Sequence, residues 1–243
     1  MHLYLWKVLE KFDLPQHFIK TVKHLYHDAS TSVLINGILS EPCRVSRGVR
    51  QGDALSCLLF DLGIEPLAAS IRNSSLRGIH IQSVQEDIKC KLFADNTTTY
   101  LHESDSLDTL EREALDPWCK VSGASFNKTK TEVIPFGTKE YHMKVIATNR
   151  LNDDDEPIGR GAKVAYEGQP VQILGAWIGN EVNQATLWTP TVEKIAACLK
   201  RWEASHLTTK GRRLITQMSI GGMTQYLAKV QGIPESVMKT LRD

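Results

Sequence analysis

The sequence predicts an α+β protein, and three observations carry that prediction. Apolar residues recur at i, i+3, i+4 and i+7 in several segments, the signature of amphipathic helices. Short β-rich stretches return between those segments rather than forming one block. Two of the stretches hold turn dipeptides between apolar residues, Asn36-Gly37 and Asp95-Asn96.

The elements follow in order. Leu3, Leu5, Trp6 and Leu9 pattern a helix over residues 2–11, and Leu14-Pro15 breaks it. Phe18, Ile19, Val22, Leu25 and Tyr26 pattern a second helix, with Pro15 suited to its first turn. Residues 31–39 form a hairpin, because Asn-Gly supplies the two positive φ angles of a tight turn. Residues 53–72 read as a long helix with Asp53 as its cap, weakened or kinked by Gly63 and Pro66. Residues 89–101 are β-rich and enclose the Asp95-Asn96 turn, 107–121 form a helix, and 131–136 a short strand. Residues 149–170 are polar and acidic, so they predict a loop or poorly ordered insertion and an internal boundary. A strand over 171–178, a helix opening at Thr189-Pro190, and a helix over 210–230 interrupted by Gly221-Gly222 complete the chain. No internal repeat is visible.

Bulk properties narrow the class. With 29 Lys+Arg against 28 Asp+Glu the net charge is +1, weak support for nucleic-acid binding except through a local basic patch. The five cysteines are scattered without a CxxC pair, which argues against a zinc site or disulfide framework and for free, buried thiols in a reducing compartment. Neither a signal peptide nor an apolar run of membrane-spanning length is present, so an intracellular, non-secreted chain without a membrane partner is expected. The sequons at Asn73, Asn96 and Asn127 are then chance matches.

Three segments could carry chemistry. Residues 47–56 place Arg47, Arg50, Gln51 and Gly52 just before a helix, with Arg44 close by; such a loop contacts a nucleotide or a template backbone, or is merely a surface connection. At the second hairpin, Asp95 could be a metal ligand at a rigid turn between buried strand residues, or an ordinary turn residue. Asn127 and Lys130 lie in the turn before a strand, where Lys130 could protonate a leaving pyrophosphate or simply be solvated. The acidic run 153–156 lacks calcium-loop spacing and reads as solvated, and His24 and His27 read as helix-surface residues.

Taken in order, these segments resemble the reverse transcriptase domain of non-LTR (LINE-type) retrotransposons. Residues 47–56 (RGVRQGDALS) are similar to the family's RGVRQGDPLSP, Phe93-Ala94-Asp95-Asn96 to its [FY]ADD turn, residues 123–130 to its G-x-x-x-N-x-x-K segment, and Leu174-Gly175 through Ile178-Gly179 to its LG-x-x-IG element. The resemblance implies a partial right-hand polymerase fold, with a palm of antiparallel hairpins plus helices and the start of a helical thumb, the fingers and first palm strand being absent. It divides the chain into a partial palm (1–148), the polar loop (149–170), and a primer-side strand with a thumb-like helical segment (171–243). It implies RNA-templated DNA synthesis from deoxynucleoside triphosphates on a DNA primer, by two-metal phosphoryl transfer with Mg2+. Asp95 takes the metal-ligand role, Lys130 that of proton donor, and Arg47, Arg50, Gln51, Gly52 and Asn127 the nucleotide and template path. Leu174, Gly175 and Gly179 fall beside the primer.

The departures from the family point toward a degenerate domain. Asn96 stands where the second aspartate belongs, and the family's first metal-binding aspartate is expected upstream of Met1; Asp13 and Asp28 lie at helix ends and do not replace it. Ala54 and Cys57 occupy positions where the family has proline. A unit charge about 4 Å away is worth roughly 4 kcal/mol at an effective dielectric near 20, so an asparagine forfeits much of a metal's hold. The sequence therefore predicts a reverse transcriptase fragment that is inactive alone, with a nucleic-acid-binding palm remnant or a non-functional retroelement relic as alternatives.

Overall fold

The computed structural model describes residues 2–82, 85–159 and 161–242. It is α+β, as expected, with every sheet two-stranded among the described residues. Two compact units divide the chain: Met1–Asn127 with Arg150–Gly159, and Lys128–Asn149 with Arg160–Asp243.

The first unit opens with α1 (His2–Lys11) and α2 (Gln16–His27), followed by the short strands β1 (Ser30–Thr31), β2 (Leu34–Ile35), β3 (Ile38–Leu39) and β4 (Cys43–Arg44). β1 pairs antiparallel with β4, and β2 with β3. Asn36 and Gly37 both take positive φ, +50° and +81°, as their hairpin turn requires. Next come α3 (Ser56–Asn73), the hairpin β5 (Cys90–Phe93) and β6 (Asn96–Thr99), and α4 (Leu107–Leu110), which runs through a π-turn into α5 (Asp116–Ser122). Gly123 closes that helix in the left-handed conformation, φ +67°.

Among the described residues, two apolar clusters hold this unit. Leu5 and Leu9 of α1, Ile19, Val22 and Tyr26 of α2 and Leu59 of α3 form one. Leu67, Ile71, Leu76, Leu110 and Ala114 form the other, with Cys90 and Leu92 of β5 packed on it. Tyr4 ties three helices together: its hydroxyl donates to the Gly63 carbonyl at 2.8 Å and accepts from Trp118 Nε1 at 2.9 Å. Asp53 lies before α3 rather than inside it, where its carboxylate accepts from the Leu55 N–H at 2.8 Å; α3 runs through both Gly63 and Pro66.

Residues 150–159 form a loop, as expected, but the acidic run within it is not wholly solvated. Asp155 is buried, accepting from the Ser106 hydroxyl and from the Leu107 N–H at the start of α4, and Leu151 and Ile158 in the same stretch are buried too. Asn152 donates to the Asp105 carbonyl at 3.0 Å. Residues 150–159 are thus an ordered part of the first unit, because capping and packing outweigh their polar composition. The cysteines are free but not buried: Cys43 and Cys57 are exposed and the other three half-buried.

In the second unit, a 3-10 turn (Lys128–Lys130) leads into β7 (Glu132–Val133), which pairs parallel with β8 (Lys163–Val164). Between them lies α6 (Lys139–Thr148), a helix the sequence reading misses; Thr138 caps it by accepting from Tyr141 N–H. The stretch read as one strand over 171–178 is a hairpin, β9 (Val171–Ile173) and β10 (Ala176–Ile178), with Leu174 and Gly175 turning at φ +50° and +84°. α7 (Gln184–Glu203) starts earlier than Thr189-Pro190, at an Asn183 side-chain cap, and carries Pro190 inside it. α8 (Thr209–Thr216) continues through a second π-turn, Gln217–Gly221, into α9 (Gly222–Gln231), and α10 (Glu235–Arg242) follows. Trp188, Leu227 and Val237 form the core of these helices.

Candidate functional site

In the β5–β6 hairpin Phe93 pairs with Asn96, so the two turn residues are Ala94 and Asp95. Asn96 is the first residue of β6, not part of the apex as the sequence reading has it. Ala94 carries the positive φ, +49°, although it is not a glycine. Alternation along β5 turns Cys90 and Leu92 toward the core and leaves Lys91 and Phe93 outside. Burial pushes the Cys90 thiol pKa up. Phe93 is 65% exposed, and Ala94, Asp95 and Asn96 are exposed as well, so the expected frame of buried strand residues ends short of the turn. The hairpin presents one carboxylate and one carboxamide to solvent.

The arginines of the preceding loop are not equivalent. Arg50 donates to the Leu25 carbonyl at 2.6 Å and lies 5.4 Å from the Tyr26 ring centroid. Arg44 donates to the His27 carbonyl at 3.2 Å. Both acceptors belong to the last turn of α2, whose carbonyls lack helical partners and carry the negative end of the helix dipole. These two side chains cap α2, while the exposed Arg47 lies between them in sequence. Gly48 and Gly52 have φ of +77° and +86°, and open space surrounds the position of a Cβ at each. Gln51 is exposed beside them.

Asn127 is exposed at the end of the first unit. Lys130, Leu174, Gly175 and Gly179 belong to the second unit. Leu174 offers its carbonyl to the Tyr226 hydroxyl, and the Tyr226 ring lies 3.3 Å from where a Gly175 Cβ would be. Gly179 sits where a Cβ would meet the Gln169 carbonyl oxygen at 2.5 Å, so close backbone approach demands glycine there.

Among the described residues, no three His, Cys, Asp or Glu side chains gather where they could hold a metal ion. None of the described helices is long and apolar enough to cross a membrane. Sequence reasoning missed a groove lined by His2, Trp6, Lys23, Tyr26 and Arg44. The spacing His2/Trp6, four apart on α1, was the available signal.

The comparisons fit the motif order. A profile of the reverse transcriptase (RNA-dependent DNA polymerase) family matches residues 2–178. An uncharacterized 149 kDa protein of transposon TX1 from Xenopus laevis is 25% identical over 228 residues, 93% of this chain and 16% of that one. The retrovirus-related Pol polyprotein of the type-2 retrotransposable element R2DM from Drosophila melanogaster is 26% identical over 129 residues, 53% of this chain and 12% of that one. The match defines a polymerase domain. The chain belongs to the reverse transcriptase family, in its non-LTR, LINE-type branch, and spans less than a fifth of the length of these two relatives.

Proposed function

We propose that this chain is a reverse transcriptase domain fragment that does not polymerise DNA by itself. The carrying observation is the β5–β6 turn, which offers Asp95 beside Asn96 where two-metal chemistry needs adjacent carboxylates. The family's chemistry calls for divalent metal, Mg2+. Hard cations of that kind take charged oxygen ligands, and one exposed aspartate with a neutral amide is a poor donor set. Among the described residues no cluster of three or more His, Cys, Asp or Glu side chains supplements Asp95, which supports this reading. Within this reading, residues 1–148 act as a partial palm, 149–170 as a connection, and 171–243 as a primer-side strand with thumb-like helices. Lys130 and Asn127 retain the roles that the motif order assigns them, proton donor and nucleotide contact. Leu174, Gly175 and Gly179 form the turn and close-packed backbone of the primer-side element. RNA template, DNA primer and deoxynucleoside triphosphate are the ligands of this reading.

Primer extension on a homopolymer RNA template, with Mg2+ or Mn2+, tests it. No incorporation is expected; incorporation that Asp95→Ala abolishes would overturn the proposal.

A second reading, retained nucleic-acid binding without catalysis, is favoured by the exposure of Arg47 in a glycine-flanked loop. Affinity for single-stranded oligonucleotide that falls with salt, and falls further in Arg47→Ala, supports it. Salt-insensitive binding removes it.

A further inference from the structure

We propose that the groove between α1 and α2 is a stacking pocket for one unpaired base of a single-stranded nucleic acid. It is an open cavity of about 440 Å³, within the range of small-ligand sites. Three rings build it. His2 lies 5.8 Å from Trp6 and 5.2 Å from Tyr26, and Trp6 meets Tyr26 edge-on at 6.2 Å. Tyr26 is buried and forms the floor, its hydroxyl against Ser56 Oγ; Trp6 and His2 are half-buried and leave ring surface open.

The rim is cationic but partly neutralised. Lys23 Nζ lies 6.0 Å from the Trp6 centroid and also meets Glu10 at 3.4 Å. Arg44 is exposed at the mouth, and His27 pairs with Asp28. With Glu10 and Asp28 offsetting much of the charge, the pocket offers π surface more than phosphate neutralisation. A flat, polarisable ring with a phosphate on either side fits that combination.

The groove adjoins the arginine loop. His2 Nε2 lies 3.1 Å from the Gly48 carbonyl, one residue from Arg47. A strand held at Arg47 by its phosphates can place a neighbouring base in the pocket. The choice of ligand rests on the nucleic-acid-binding reading above, but polymerisation is not required, so a chain without extension activity leaves the pocket untouched.

The test is anisotropy titration of the full chain with labelled oligo(dT), alongside an abasic oligomer of equal length and charge. Oligo(dT) binds more tightly than the abasic oligomer. Trp6→Leu weakens oligo(dT) binding roughly five- to 150-fold, the range for one stacked base, and leaves the abasic affinity and the salt slope unchanged. Trp6→Phe keeps most of the affinity. Arg47→Ala does the reverse, lowering the salt slope and weakening both oligomers alike; equal weakening of both by loss of Arg47 alone, with no preference for oligo(dT) in the unmodified chain, overturns the pocket while keeping the loop. Equal affinity for the two oligomers also decides the matter should Trp6→Leu fail to fold, and absence of any binding overturns pocket and loop together.

Discussion

Phe93 pairs with Asn96 across a two-residue turn, which leaves Asp95 at the apex and makes Asn96 a strand residue. The distinction governs what repair can do. A carboxylate restored at 96 would project from the first position of β6, next to Asp95, both in solvent. It would add charge without adding a third ligand.

Arg50 and Arg47 should separate in mutation. Arg50→Ala removes a donor from the Leu25 carbonyl and a cation from the Tyr26 ring, and should lower stability by about 1 kcal/mol. Arg47→Ala should leave the melting curve alone and reduce oligonucleotide affinity. Urea melts beside binding titrations read both; equal destabilisation by the two changes would contradict the capping role of Arg50.

Asp105 is a structural carboxylate. It is buried and accepts from the N–H groups of Arg77, Gly78 and His102 at 2.8 to 2.9 Å. Asp105→Ala strands those donors and should cost about 3 kcal/mol, a large share of a typical domain's stability. A chemical-denaturation midpoint matching the unmodified chain would refute this.

Gly179→Ala should cost about 1 to 3 kcal/mol, because the new methyl would overlap the Gln169 carbonyl and the Val182 side chain. Thermal melts of the variant measure the loss.

Ser75 donates its backbone N–H, at 2.8 Å, and its hydroxyl, at 3.0 Å, to the Glu113 carboxylate, and these bonds hold that carboxyl below its ordinary 4.5. A depressed folded-state pKa stabilises at higher pH, and the contribution is lost as pH falls through the lowered value. Melting temperatures of the unmodified chain and of Glu113→Gln should therefore converge on acidification below 4.5. A gap that stays constant through that window would count against the Ser75 contact.

Local signals carried much of the fold. The bounds of α1, both positive φ angles at Asn36-Gly37, and the left-handed Gly123 follow from a few adjacent residues. What escaped depended on distant partners. Asp155 reads as solvated until Ser106, 49 residues away, is found to donate to it. Arg44 and Arg50 read as free loop cations until the carbonyls at the end of α2 are found to accept from them. The register of the second hairpin was misplaced by one residue because Asp-Asn resembles a turn pair, whereas Ala94 takes the strained angle. The motif order was legible, while the exposure of its residues and their assignment to two units were not.

The most direct test of catalytic incapacity is primer extension by Asn96→Asp on a homopolymer RNA template with Mn2+. At an effective dielectric near 20 the added charge is worth roughly 4 kcal/mol per unit of ionic charge about 4 Å away, enough to improve the hold on a divalent ion at the tip. Two carboxylates at one exposed hairpin end are too few to fix both ions, so no template-dependent product is predicted. Extension by Asn96→Asp that disappears in the Asp95→Ala, Asn96→Asp double variant would contradict the account.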